Sequence, residues 1–138
     1  MIRSQGSGEE ALKKMPREGT YRDLIAWQKS RRLVSEIYRS TSEWPTEERF
    51  GLTSQLRRAA VSIPANIAEG QGRLGTAEMK HRLSIAHGSL CELETLLIVA
   101  GDIGLIPDDV QAKLLADAAE VGRLLRGFIR SLEGPGPA

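Results

Sequence analysis

The sequence predicts an all-α protein, an up-and-down antiparallel four-helix bundle. Three observations predict it. Apolar residues recur at steps of three and four through four separate stretches. Aromatic residues make up only 4% of the chain, so the core must be built from Leu, Ile, Val and Ala. A β-sandwich would show more aromatic and Thr-rich alternation. Proline and glycine cluster between the stretches, where short connections favour antiparallel neighbours.

A length of 138 residues suits one domain, which can enclose one apolar core without metal or disulfides. Residues 1–19 mix glycine, proline and charge with little periodicity and read as a flexible arm. Residues 20–133 read as the bundle. Residues 134–138, opening Gly134-Pro135-Gly136-Pro137, read as a disordered tail.

Thr20, with Asp23 three residues on, is a capping-box-like start for helix one. Leu24, Trp27, Val34, Ile37 and Tyr38 lie near one face of it, and Trp44-Pro45 ends the turn that follows about Ser40. Thr46 can cap helix two, with Glu47 and Glu48 where the helix dipole favours acid. Its apolar face is Leu52, Leu56, Ala59, Ala60, Ile63 and Ile67, and glycines at 70, 72 and 75 punctuate its end. Pro64 falls inside it and costs roughly 3 kcal/mol in an ordinary helix. It should bend the helix or split it, with Ser62 and Asn66 able to bond the carbonyl that the proline leaves free.

Helix three starts near Thr76 and carries a heptad seam of Met79, Leu83, Ala86, Leu90, Leu93, Leu97 and Ala100. Leu96, Ile98 and Val99 add apolar surface off the seam. Gly101 and Gly104 close it. Pro107, Asp108 and Asp109 suit the first turn of helix four. Val110, Leu114, Ala118, Val121, Leu125, Phe128 and Leu132 form its stripe, widened by Leu115, Leu124 and Ile129. An apolar surface this broad implies that copies of the chain cover one another.

Net charge is +1, too small to imply nucleic acid by itself, but it is unevenly spread. Residues 21–40 hold five bases against two acids, whereas residues 102–138 hold six acids against four bases. Arg57-Arg58 stands off the apolar face of helix two. With Lys29, Arg31, Arg32 and Arg73 it could form a phosphate-contacting surface. The same arginines also fit a solvated helix face or ion pairs with a neighbouring subunit. Stacking aromatics are too scarce for a base-reading platform, so nucleic-acid binding would be backbone-driven and weakly specific.

Catalytic chemistry finds little support. Glu69 lacks an evident second titrating group. His87 and Cys91 lie one helical turn apart with Glu94 beyond, but no second cysteine could complete a structural zinc site. Cys91 reads better as a small buried hydrophobe. Gly88-Ser89 lacks the nucleophile-elbow pattern, and Gly88 reads as a site of close helix approach. Gly70-Gln71-Gly72-Arg73-Leu74-Gly75 lacks the Lys-Ser/Thr ending of a phosphate loop and reads as a turn. No cofactor is expected. A lone cysteine, no apolar signal core and no apolar run approaching about 18 residues point to the cytoplasm, with no membrane partner.

Three ordered motifs carry a family resemblance. Tyr21-Arg22-Asp23-Leu24-Ile25-Ala26-Trp27-Gln28 resembles the opening of the four-helix proteins encoded in intervening sequences of 23S ribosomal RNA genes, with Tyr21 where that pattern has phenylalanine. Ser54-Gln55-Leu56-Arg57-Arg58-Ala59-Ala60-Val61-Ser62-Ile63-Pro64-Ala65-Asn66-Ile67-Ala68-Glu69-Gly70 resembles that family's hallmark. Ile85-Ala86-His87-Gly88-Ser89-Leu90-Cys91-Glu92-Leu93-Glu94 resembles its third-helix signature. The resemblance implies a four-helix bundle assembling as a homopentameric ring. It extends to the accessory protein of diversity-generating retroelements, which associates with a reverse transcriptase and nucleic acid. The family has no known catalytic residues. The expected function is therefore non-enzymatic: a homo-oligomer associating with RNA or DNA, or alternatively an interaction scaffold or accessory subunit for a reverse transcriptase or other polymerase.

Overall fold

A computed structural model describes residues 20–48, 50–72 and 75–134. The expected arm at residues 1–19, Arg73 and residues 135–138 of the tail lie outside the described residues. Four α-helices follow in order: α1 Ile25–Thr41, α2 Leu52–Gly72, α3 Thr76–Asp102 and α4 Asp108–Leu132. Among the described residues there is no strand.

Each helix packs on its sequence neighbours, and α1 closes the ring against α4. Contacts along each pair run in opposite directions. On α2 and α3, Ser62 meets Ser89 while Asn66 meets Arg82. On α3 and α4, Gln111 meets Leu97 while Arg126 meets His87. The neighbours are therefore antiparallel, as links of three residues (73–75) and five (103–107) require. Such links are far shorter than helices that rise 1.5 Å per residue.

The core is aliphatic. Leu56, Ile63 and Ile67 from α2 and Leu83, Leu93 and Ala100 from α3 are fully buried, with Ile37 of α1 and Leu125 of α4. Burial of each large side chain stabilises the fold by about 1.5–3 kcal/mol. Every position of the α3 heptad seam is buried. Contrary to expectation, α3 is also long and apolar enough, by length and composition, to cross a membrane. A bundle's core helix passes the same test; in α3 the seam is buried, and with it 33% of the most apolar window.

Several local expectations shift. Thr20 and Asp23 do form a capping box, but over a 3-10 turn at Tyr21–Asp23, and α1 starts only at Ile25. Thr46 opens a second 3-10 turn, Thr46–Glu48, and the cap of α2 is the Glu48 carboxylate, which accepts from the Leu52 amide at 3.2 Å. Pro107 is the N-cap of α4 rather than a first-turn residue.

Pro64 does not split α2, which runs as one helix through Gly70 to Gly72. Ala60, Ile63 and Ile67 are fully buried around it, and that packing holds the helix across the missing hydrogen bond. Ser62 and Asn66 act otherwise than expected. Asn66 donates to the Ser62 carbonyl at 2.8 Å, and the Ser62 and Ser89 hydroxyls share a 2.8 Å hydrogen bond across to α3. The Asn66 side-chain oxygen accepts from Arg82 at 3.3 Å, and Arg82 also faces Glu69 and Glu78 at 3.6 and 3.7 Å. The proline segment is thus stitched to α3 by polar side chains.

Close helix approach falls at Gly70, not at Gly88. A Cβ on Gly70 would lie 2.7 Å from Met79 Sδ and 3.0 Å from Arg82 Cβ, whereas Gly88 faces open space.

Candidate nucleic-acid interface

Lys29, Arg32, Arg57 and Arg58, among the basic residues singled out in the sequence, fall on two flanks of α1. On the α4 side, Lys29 Nζ lies 3.2 Å from the Glu120 carboxylate. Lys29, Arg32 and Lys113 share a small groove with Glu36, Asp117 and Glu120, so its charges balance. The Asp117 carboxylate accepts a 2.9 Å hydrogen bond from Lys113 and holds that ammonium's pKa above its ordinary value. This flank offers a polyanion little net attraction.

The α2 side differs. Here a groove of about 560 Å³ is lined by Arg57 and Arg58 with Tyr38, Thr53, Ser54 and Val61, and no carboxylate lines it. Arg57 points toward α1 because its position on α2 is about 100° from that of Arg58. Its Nε–H donates to Thr41 Oγ1 at 3.0 Å, and a terminal N–H reaches the Tyr38 carbonyl at 3.4 Å. The Arg57 guanidinium carbon lies 4.4 Å from the centre of the Tyr38 ring. Thr41 in turn donates back to the Ile37 carbonyl at 2.8 Å, so the arginine is tied to the last turn of α1.

Arg58 is exposed and donates to Ser54 Oγ at 3.0 Å, an acceptor without charge. Arg31 is exposed on α1, 5.6 Å from the centre of the Trp27 ring. The fold therefore brings Arg57 and Arg58 into one uncompensated groove and sets Lys29 and Arg32 in another, compensated one. Sequence reasoning missed Thr41, Thr53 and Ser54 as partners or lining of the arginines. The available signal was the i, i+4 spacing of Ser54 and Arg58.

His87 Nδ1 lies 3.9 Å from Cys91 Sγ, and its Nε2 lies 3.3 Å from an Arg126 nitrogen, linking α3 to α4. Cys91 is exposed, which corrects its reading as a buried hydrophobe. Its turn of α3 faces outward from the seam. Among the described residues no group of three His, Cys, Asp or Glu side chains could hold a metal ion.

The apolar surface is also smaller than the sequence suggests. Leu96, Leu115, Leu124 and Ile129 pack partly buried against the core. Ile98 and Val99 remain exposed near the C-terminal end of α3, joined by Ile103 in the following turn.

The model of the 23S rRNA-intervening sequence protein family matches residues 22–127. The chain belongs to that family. The match takes in α1, α2, α3 and most of α4, and with them both flanks of α1. No curated protein matches this family member. Its fold is similar to a crystal structure from Bacteroides thetaiotaomicron, of a protein with unknown function from the S23 ribosomal protein family. The likeness has a TM-score of 0.70 at 24% identity and covers 77% of this chain and 99% of that one. At that identity it shows the shared bundle fold.

Proposed function

We propose that this chain is a non-enzymatic bundle protein that associates, as a homo-oligomer in the cytoplasm, with the backbone of RNA or DNA. The observation that carries the reading is the groove between α1 and α2, where Arg57 and Arg58 line the surface and no carboxylate does. Guanidinium groups suit phosphate oxygens, and binding through them releases counterions and weakens with salt. Lys29 and Arg32 contribute less, beside Glu120 and Glu36. The homopentameric ring, implied by the family resemblance, would repeat the groove around an axis and multiply a weak contact.

Gel-shift titration at low salt tests the reading. Mobility of a labelled RNA or DNA should shift with wild-type protein and fail to shift with Arg57→Ala/Arg58→Ala. Undetectable wild-type binding, or equal binding by the double variant, would reject it.

A second reading rests on the exposed Ile98, Val99 and Ile103. Exposed aliphatic residues grouped at one helix end suit a protein partner. A reverse transcriptase or another polymerase would make the chain an accessory subunit, and a second copy would make the same patch part of the ring.

A further inference from the structure

The groove between α1 and α2 offers more than charge. The Arg57 guanidinium is held by Thr41 Oγ1 and the Tyr38 carbonyl, and it lies on the Tyr38 ring at 4.4 Å. That combination fixes a flat cationic surface in one orientation before any ligand arrives. Arg57 also lines the groove, so this surface is reachable from outside. Val61, 42% exposed, supplies an apolar wall, and Arg58 stands one residue further round the helix.

Thr53 lines the same groove, with its hydroxyl oxygen closed off from the surface. The groove, of about 560 Å³, is open, so it would hold one side of a ligand and leave the other to solvent.

We propose that this groove seats one nucleotide unit of a single-stranded RNA or DNA, its base stacked on the Arg57–Tyr38 pair and its phosphate on Arg58. Val61 covers the base edge. Bases in a duplex are already stacked and cannot enter, so the seat selects unpaired strands. It is tolerant of sequence, because every base has a face to stack. The inference rests on the nucleic-acid reading above and adds a base contact to a binding mode that the sequence implies is backbone-only.

Fluorescence anisotropy with the full chain separates the two. One probe is a labelled oligothymidylate of about 12 nucleotides, within the usual span of single-strand sites. The other is an abasic oligomer with the same number of phosphates. The base-bearing strand should bind at least about fivefold more tightly, the scale of one stacked base. Arg57→Lys keeps the charge and loses the plane. It should bring the thymidylate down to the abasic level and leave abasic binding within about twofold. Tyr38→Leu should do the same, and Tyr38→Phe should change neither, with thermal melting confirming that each variant is folded. Equal wild-type affinity for the two strands overturns the nucleotide seat while leaving backbone association intact. Binding of neither strand overturns both.

Discussion

The two flanks of α1 carry similar basic residues and use them differently. Toward α4, Lys29 and Arg32 sit among Glu36, Asp117 and Glu120, and the charges cancel locally. Toward α2, Arg57 and Arg58 meet hydroxyls, a carbonyl and an aromatic ring, all neutral. A neutral partner orients a guanidinium without spending its charge, whereas a carboxylate spends it. Cations counted along a sequence therefore measure binding potential only after the acids of the next helix have been placed.

The contrast can be broken by exchanging the flanks in binding assays. Arg57→Ala/Arg58→Ala should lower affinity for single-stranded nucleic acid at least about tenfold at low salt and flatten the log–log salt dependence by up to about 1.4. Lys29→Ala/Arg32→Ala should change it by less than about twofold. Equal losses from the two pairs would erase the distinction. Next in size is the anchoring of Arg57. Tyr38→Ala removes the ring beneath it and should cost about 1 kcal/mol, a fall in Tm of roughly 3–5 °C by circular dichroism.

A smaller effect would sharpen the comparison from the other side. Glu120→Gln frees Lys29 from its ion pair and should raise affinity about two- to threefold in the same titration. The smallest concerns Lys113 and Asp117. The folded-state pKa of Lys113 is raised, so the pair's contribution is complete below the ordinary lysine value and is lost as pH rises through the folded one. Because the pair is exposed, Asp117→Asn should leave Tm at pH 7 within about 1 °C.

The bundle was legible in the sequence where its cause is local. The seam from Met79 to Ala100 depends only on helical period, and every position in it is buried. The starts of α1 and α2 were less legible. Thr20 with Asp23 signals a cap, but the same signal serves a 3-10 turn and an α-helix alike. That α2 runs unsplit through Pro64 was not legible, because it depends on the buried residues around the proline and on the tie of Asn66 and Ser62 to α3, which lie in tertiary packing. The site shows the same division. Arg57 and Arg58 are conspicuous in the chain, but the roles of Tyr38 and Thr41 emerge only when the end of α1 is set against the start of α2. That Glu120 would neutralise Lys29 follows from the ring closure of α4 on α1, which no window of sequence reveals.

The three-residue link between α2 and α3 joins the two helices with the most extensive mutual contact. Closing so short a loop costs little chain entropy, and the contacts it brings are near in sequence. On that ground the hairpin should form first and the pairing of α1 with α4, which brings opposite ends of the domain together, last. Native-state hydrogen exchange should then show the flank whose charges cancel opening before the hairpin does.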